Sequence, residues 1–478
     1  MTATSPSSSI DPVFLAAFRA GTLTVEQAQA VVPDDALAVA LLLLQLSAAI
    51  AGKVSTTGPH TPSGAIPPYV KPAAKGRKKR RGAKPGHEGK SRPRPERIDR
   101  HETHQCPVCP CCGGELVRTG RKRIRCIEDI PENLRAEAVA HEIHRDWCST
   151  CKKQVEPKVL DALPNCTIGN RTVTLSAWLH YGLGTTTSQI IDVLNGHLQL
   201  KISEGGLTEI WHRLANVLTP WYEQIHNECL NAAVLHADET GWRVAGKTWW
   251  LWCFTNADST YYTIDASRGH DALHEFFVEE FRGVLVSDFW RAYDAMAEDQ
   301  QKCWPHLLRD LKEIDERPDV GEMWKGFVKR LRRLYGDAIR LKAARDELVS
   351  DVFERRVYSL HERLNELATA DWECPHARRI SRRLSDYQGS LLTFVEYVEV
   401  PPSNNRAERE IRPDVLMRKA SYGNASEAGA ATRSILMSIY RTLKQRGLDP
   451  LAVTAEALRT HTATGQLPPL PPRGGSGG

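Results

Sequence analysis

The sequence predicts a multidomain α+β protein, in which an α/β domain carries an all-helical insertion and follows a helical region and a small metal-binding module. Three observations predict this class. Segments rich in Val, Trp, Tyr and Thr lie between residues 233 and 290, a composition typical of strands. Stretches with apolar residues at helical spacing lie on both sides of them. Most of the twelve cysteines cluster between residues 106 and 151 at C-x2-C spacing, which favours a metal site over disulfides.

The composition is that of a soluble globular protein. The chain has 478 residues, of which 41% are hydrophobic and 25% charged, and this length is enough for several domains. The longest apolar run, residues 36 to 46, is far shorter than the roughly 20 residues that span a bilayer. It also lacks the features of a secretory signal. We therefore expect a cytoplasmic protein that has no membrane partner.

The positive charge is concentrated in one segment. The formal net charge is +5, yet residues 71 to 100 hold 13 Lys or Arg against 3 acidic residues, so the rest of the chain is about −5 (5 − 10). Such a basic arm binds polyanions, usually nucleic acid; the alternative is a solubilising linker. The residues expected to contact DNA in this arm are Arg77, Lys78, Lys79, Arg80, Arg81 and Lys84.

The N-terminal half divides by composition. Ser203 is a good N-cap for a helix, and the helices before and after it fit either a helix-turn-helix or a small helical bundle. The leucine-rich run near residue 45 could pair with a second chain or pack in a core. The predicted segments are a helical, possibly dimerising region (1–50), a basic Pro/Gly-rich linker (51–100), a zinc-binding module (101–160) and a helical DNA-binding region (161–232).

The C-terminal half reads as a sheet followed by helices. The strings AAVLHADET, KTWWLWCFTN and TYYTIDASRG predict strands, GVLV predicts a fully buried strand, and DALHEFFVEEF predicts a helix. Further helices are expected at 306–316, 323–349, 351–370, 376–398 and 404–420. The predicted segments are the first part of the α/β core (233–309), a helical insertion (310–400), the second part of the core (401–465) and a disordered tail (466–478) that ends in an artificial GGSGG linker.

Two C-x2-C pairs predict a structural zinc site. Cys109 with Cys112, and Cys148 with Cys151, can each offer two thiolates to one tetrahedral ion. Gly113 and Gly114 permit the tight turn behind the first pair. Cys106 or Cys111 could replace a ligand of that pair, and a set of unpaired thiols is the alternative to a metal site.

Three acidic residues are candidates for a second metal site. Asp238 and Asp288 each follow an apolar strand, and Glu408 lies in a polar helix. If the two strands are neighbours, the two carboxylates approach each other and repel unless a cation lies between them. Mg²⁺ prefers oxygen ligands and suits such a site. A turn or cap role is the alternative for any one of these residues.

Eight strings occur in a fixed order over residues 60 to 460: TPSGAIPPYVKP, KPGHEG, CPCCGGEL, WCSTCKK, LHADET, SDFWRAYD, CWPHLLRDL and NNRAEREIRP. In these strings the chain resembles bacterial insertion-sequence transposases of the DDE type, in the family numbered sixty-six. The resemblance implies an RNase H-like α/β domain and catalytic, metal-binding roles for Asp238, Asp288 and Glu408, with two Mg²⁺ or Mn²⁺ ions. It also implies that Arg406, Arg409 and Arg412 face DNA phosphates.

The same resemblance implies the partners. They are double-stranded DNA, both as the terminal inverted repeats of an element and as the target, a second copy of the chain in a homodimer or larger oligomer, and possible accessory proteins. Cys303 and His306 form a C-x2-H pair, for which a structural or metal-supporting role is favoured over metal binding. Two other functions stay open: a transposase-derived zinc and helix-turn-helix regulator, and an RNase H-like nuclease without strand transfer.

Overall fold

The structure, a computed structural model, describes residues 95–117, 123–131, 133–278, 281–297, 299–317 and 320–473. The predicted helical segment 1–50, the arginines and lysines of the basic arm from Arg77 to Lys84, and the GGSGG tail lie outside these residues. The described chain forms two compact units. The larger contains Ala140–Ile191 and the residues from Ile202 onward, and the smaller contains the residues up to Val139 together with Asp192–Lys201.

The smaller unit contains the first cysteine pair. A tight turn closes between Cys109 and Gly114, whose backbone atoms hydrogen-bond at 2.9 Å. Gly113 has a φ of 73° at this turn, a conformation that glycine adopts without a steric penalty. The boundary between the units, at Val139, falls inside the segment 101–160 that the sequence predicts as one module.

The larger unit begins with a hairpin and helices. Strands β1 (Asp146–Cys148) and β2 (Lys153–Val155) pair antiparallel. The helices that follow are α1 (Asn170–Ala177), continued by a π-helical turn (Trp178–Gly182), α2 (Thr187–Ile191) and the long α3 (Glu204–Leu230). Ser203 caps α3 by accepting a hydrogen bond from the backbone of Gly206 at 3.1 Å, which confirms the predicted start of that helix.

A five-stranded mixed sheet forms the centre of this unit. Its order is β5-β4-β3-β6-β7. β3 pairs antiparallel with β4, and β4 with β5, whereas β3, β6 and β7 run parallel. The strands are β3 (Val234–Val244), β4 (Lys247–Thr255), β5 (Thr260–Asp265), β6 (Val284–Ser287) and β7 (Gln300–Lys302).

The sheet is covered on the side of β5 by a C-terminal helix. Ser438 and Thr442 accept hydrogen bonds from the backbone N–H groups of Tyr262 (2.8 Å) and Thr260 (3.0 Å). An edge strand otherwise exposes such groups to pairing with another chain. The C-terminal helices are α10 (Asn405–Ser421), α11 (Glu427–Gln445) and α12 (Pro450–Thr464).

Helices between the sheet and α10 form the predicted insertion. They bury apolar residues in one core that also includes Val284 and Val286 of β6 and Phe289, so the insertion packs directly on the sheet. Short α4 (His270–Phe276) lies between β5 and β6, and the later helices are α5 (Trp304–Asp315), α6 (Glu322–Ala343), α7 (Ser350–Thr369), α8 (Pro375–Asp386) and α9 (Thr393–Glu396).

Three expectations about elements need correction. The helix predicted at 376–398 is broken into α8 and α9, because the chain turns at 387–392 to bury Leu391 and Leu392. The helix predicted at 323–349 ends at Ala343. β3 does not end before Asp238 but continues to Val244, because its pairing with β4 extends that far. None of the helices in the described ranges is long and apolar enough to cross a membrane.

Candidate active site

Asp238 and Asp288 occupy equivalent positions on neighbouring parallel strands. The last register pair between β3 and β6 is His236 with Val286. Each aspartate lies two residues beyond its member of that pair, so both carboxylates leave the sheet at the same level and on the same face. β6 ends at this point, whereas β3 continues and, of the described strands, pairs only with β4. The expected proximity of the two carboxylates therefore follows from the sheet itself.

Glu408 lies in the first turn of α10, and Asn404 ties the start of that helix to β3. Asn404 is only 1% exposed. Its amide donates to the backbone carbonyl of Ala237 at 2.7 Å, and its carbonyl oxygen pairs with Nδ1 of His236 at 3.1 Å. The helix that carries Glu408 is thus fixed to the residue immediately before Asp238.

The three carboxylates interact electrostatically. Burial raises the pKa of Asp238 well above its usual range, and the charges of Glu239, Asp288 and Glu408 raise it further. One oxygen of Glu408, Oε1, is buried and has no hydrogen-bond partner among the described residues. Asp238, repelled by neighbouring acids of which one has an unpartnered oxygen, gives the site oxygen donors of the kind that a hard divalent cation prefers.

A fourth carboxylate at this site is already neutralised by the protein. Glu239 is buried and accepts hydrogen bonds from Arg268 at 2.9 Å and from the hydroxyl of Tyr293 at 2.7 Å. The guanidinium of Arg268 lies between the rings of Trp250 and Trp290, at 4.6 and 4.1 Å from their centroids. Glu239 is therefore a structural partner of Arg268 and is not free to bind a metal ion.

Three further hydrogen bonds fix the loop that carries Asp288. Its Oδ1 accepts a hydrogen bond from the backbone N–H of Trp290 at 2.8 Å. Behind it, the buried ammonium of Lys302 donates to Ser287 Oγ at 3.2 Å and to Asp294 at 2.9 Å. These contacts restrain the backbone on either side of Asp288.

Cys303 and His306 lie beside Glu408. Nδ1 of His306 is 3.6 Å from Oε1 of Glu408, and one potential ligand atom from each of Cys303, His306 and Glu408 lies within 4.8 Å of the others. Cys303 is buried, and its sulfur accepts a hydrogen bond from the backbone of Asn404 at 3.2 Å. The C-x2-H pair thus gains a third neighbour from a helix that lies about a hundred residues further along the chain.

The prediction from the sequence did not include four residues that shape this site: Asn404, Glu239, Arg268 and Lys302. Asn404 and Glu239 stand inside the strings NNRAERE and HADET, next to the residues selected as ligands. The signal that could have identified Asn404 and Glu239 was an amide or an acid within a short polar motif. Nothing in the sequence indicates that Arg268 pairs with Glu239 or that Lys302 is buried behind Asp288.

The predicted phosphate-facing arginines differ in their surroundings. Arg406 donates to the backbone carbonyl of Asn256 at 3.0 Å and is partly buried. Arg409 and Arg412 are exposed on α10. Arg409 and Arg412 are therefore accessible to a polyanion, whereas Arg406 already serves a contact within the protein.

Each cysteine pair has the local geometry of a metal knuckle. The sulfur of Cys148 accepts a hydrogen bond from the backbone N–H of Cys151 at 3.4 Å, and such bonds lower the pKa of its thiol. Backbone N–H groups of Cys111 and Cys112 lower the pKa of Cys109 in the same way. Lowered thiol pKa values favour the thiolate that zinc binds. The two pairs belong to different units, so a shared zinc ion stays a prediction.

The fold and the site define an α/β class of protein built on a mixed sheet, with acidic residues at matched positions on two parallel strands. Residues 165–432, more than half of the chain, match the family described as Transposase IS66 family, and the chain belongs to that family. It is also similar to the uncharacterized protein y4qI of Sinorhizobium fredii (strain NBRC 101917 / NGR234), with 27% identity over 241 residues, which are 45% of this chain. The match spans 44% of that relative, less than half of its length.

Proposed function

We propose that this chain is a DNA transposase that cleaves the 3′ ends of its element and joins them to target DNA. The observation that carries the proposal is the placement of Asp238 and Asp288 at matched positions on parallel strands, with the charge of Glu408 acting on Asp238. A protein that only bound DNA would have no use for three repelling carboxylates from three separate segments.

The sheet supports an RNase H-like assignment of the core. Three antiparallel strands are followed by two short parallel ones, and the first aspartate lies on the central strand. The helical insertion follows β7 and ends before α10. We infer that the insertion separates the third carboxylate from the first two in sequence without separating it in space.

Asp238, Asp288 and Glu408 would hold divalent Mg²⁺ or Mn²⁺. When bound, a pair of such ions activates the attacking hydroxyl and stabilises the leaving oxygen of a phosphodiester. The protein contributes orientation. The backbone N–H of Trp290 holds Oδ1 of Asp288, and the backbone N–H of Glu239 holds Oδ1 of Asp238 at 3.0 Å. One oxygen of each aspartate is thus fixed, which limits rotation of the other.

The DNA-binding parts are proposed from charge and motif. We infer that the basic arm, the cysteine module and the helices α2 and α3 contact the terminal inverted repeats, and that Arg409 and Arg412 contact phosphates near the active site. A homodimer or larger oligomer would bring two element ends together. Accessory proteins of the element are further proposed partners.

Charge-removing substitutions test the catalytic proposal. Asp238→Asn, Asp288→Asn and Glu408→Gln should each reduce end cleavage and strand transfer by at least about 100-fold, because each removes a metal ligand with little change of shape. Binding to end DNA should stay within a few-fold of the wild-type value. Glu410→Gln, two residues further along α10, is the matched control and should retain activity.

The assay separates the proposed function from its alternatives. A pre-cut end and a supercoiled plasmid measure joining, and an uncut end measures hydrolysis. Cleavage without joining would identify a nuclease, and binding without either reaction would identify a regulator. Near-normal strand transfer by any one of the three variants would refute the assignment of that residue.

A further inference from the structure

Two buried polar atoms face each other beside the carboxylate site without a hydrogen bond. Nδ1 of His306 and Oε1 of Glu408 are both buried and both lack a hydrogen-bond partner among the described residues. Their separation of 3.6 Å exceeds the usual hydrogen-bond range of about 2.7–3.2 Å. Buried polar atoms are rarely left unpartnered, so this pair points to a group that would lie between them.

The spacing fits ligands of one tetrahedral ion. Zinc bonds of about 2.0–2.3 Å to N, O and S place neighbouring ligand atoms about 3.3–3.8 Å apart. For a nitrogen and an oxygen ligand the separation is about 3.3–3.5 Å, and the 3.6 Å between His306 Nδ1 and Glu408 Oε1 is close to it. The sulfur of Cys303 lies within 4.8 Å of one potential ligand atom of each residue, so a small movement of its side chain would complete a set of three ligands.

Cys303 shares one hydrogen bond and its spacing with a metal knuckle, although burial raises the pKa of its thiol to about 12, so that a metal ion would have to displace the thiol proton. Its sulfur accepts a backbone N–H from Asn404 at 3.2 Å, as the sulfur of Cys148 accepts one from Cys151 at 3.4 Å. The spacing is also that of a knuckle, since His306 follows Cys303 by three residues. The side chain of His306 is 24% exposed and that of Glu408 is 33% exposed, so the site lies close to solvent.

We propose that Cys303, His306 and Glu408 form a second metal site that takes thiophilic divalent ions of the zinc class and competes with the carboxylate site for Glu408. A sulfur, an imidazole nitrogen and one carboxylate favour Zn²⁺ or Co²⁺, whereas Mg²⁺ prefers oxygen ligands. When zinc occupies this site, Glu408 is no longer available to Asp238 and Asp288, and Mg²⁺-dependent cleavage stops. The inhibition rests on the proposed function, but the binding does not.

Cobalt spectroscopy tests the binding on the full chain. Co²⁺ is titrated into wild type that retains its purification zinc, and into His306→Asn and Cys303→Ser. We expect the absorption spectrum of wild type minus that of His306→Asn to show one bound cobalt with a sulfur-to-cobalt charge-transfer band. The apparent Kd of cobalt for that site should rise at least about tenfold in His306→Asn. Cys303→Ser should lose the charge-transfer band. Thermal melts confirm that each variant is folded.

Identical cobalt spectra and affinities in wild type and His306→Asn would overturn the metal site. Zinc titration into the Mg²⁺-dependent cleavage assay then tests the inhibition. With each rate expressed relative to the zinc-free rate of the same protein, half-inhibition of His306→Asn should need at least about tenfold more zinc than half-inhibition of wild type. The same half-inhibiting zinc concentration in both proteins would overturn the competition. Cobalt binding by a chain that cleaves no DNA would support the metal site and refute the proposed transposase activity.

Discussion

The side chain of Asn404 connects two parts of the active site that lie far apart in sequence. It bonds to the carbonyl of Ala237 and to His236, and its backbone N–H bonds to the sulfur of Cys303. Sequence reasoning could select Asp238 and Glu408 from their motifs. It could not identify Asn404 as the link, because an amide in a polar string carries no information about a partner 167 residues away.

We expect Asn404→Ala to weaken both stability and catalysis. It leaves a buried carbonyl and a buried imidazole unpartnered, which costs about 1–3 kcal/mol in the free energy of unfolding. Because the start of α10 is then free to shift from β3, cleavage should fall by more than the loss of folded protein explains. Chemical denaturation and single-turnover cleavage measure the two effects. Asn405→Ala, at the exposed neighbouring position, is the control, and equal behaviour of the two variants would contradict this role.

Asp238 and Glu239 are adjacent buried acids, and burial raises the pKa of both, but Glu239 has a cationic partner, Arg268, that offsets part of the rise. Asp238 has a raised pKa in the folded protein. Because its pKa is higher in the folded chain than in the unfolded chain, ionising Asp238 costs more in the folded protein, so Asp238 lowers stability as pH rises above its usual pKa. Glu239 instead neutralises Arg268.

Without added divalent ions, Asp238→Asn should therefore raise the melting temperature by a few degrees, since about 1 kcal/mol corresponds to about 2–4 °C in a domain of this size. Glu239→Gln should lower the free energy of unfolding by about 2–4 kcal/mol, because it leaves a mostly buried guanidinium uncompensated. Added Mg²⁺ should stabilise wild type and not Asp238→Asn. Calorimetry checks all three, and a lower melting temperature for Asp238→Asn would contradict the repulsion.

At the scale of elements, the sequence predicted most strands and helices because their signals are local. Buried aromatic and β-branched runs marked β3 to β6, and Ser203 marked the start of α3. Two kinds of feature were missed. The extension of β3 beyond Asp238 depends on pairing with β4, and the break between α8 and α9 depends on burial of Leu391 in the insertion core. Both are tertiary effects that local periodicity does not record.

The cysteine pairs provide the element-scale prediction. Purified protein should contain about one zinc ion per chain from tetrahedral thiolate ligation. Replacing Cys148 and Cys151 together by Ser should remove that zinc and weaken binding to end DNA, because the knuckle that begins at β1 loses both thiolates. Elemental analysis and gel-shift titration are the measurements. Cys166→Ser, at a partly buried cysteine outside both pairs, is the control; zinc-free wild-type protein would contradict the prediction.

At the scale of the molecule, the helical insertion and the sheet form a single core. Phe289, the residue after Asp288, contacts the ring of Tyr387 at 5.3 Å and the guanidinium of Arg383 at 5.2 Å. Arg383 in turn bonds to Asp310 of α5, the helix that carries His306. The insertion is therefore connected to the loop of Asp288 and to the helix beside Glu408. A shift of α8 would change the contacts of Arg383 with both.

The basic arm is the last feature at this scale, and its contribution follows from charge alone. Residues 75–84 hold seven Lys or Arg and no acid. Such a segment binds phosphates by releasing counterions, which carries little information about base sequence. Deleting it should lower the affinity for terminal-repeat and scrambled duplexes by similar factors. The slope of log K against log salt should become shallower by about 0.9 for each phosphate that the arm neutralises.

Binding to both duplexes across a salt series, with and without the arm, measures these quantities. A charge-preserving control replaces the segment by a scrambled sequence of the same composition, which should bind both duplexes as the wild type does because the arm acts through its charge. Discrimination between the duplexes should survive the deletion, since the cysteine module and the helices around Ser203 are expected to provide it. If the deletion instead removed the preference for the terminal repeat and left affinity for scrambled DNA unchanged, the arm would recognise bases, and the electrostatic account of it would be wrong.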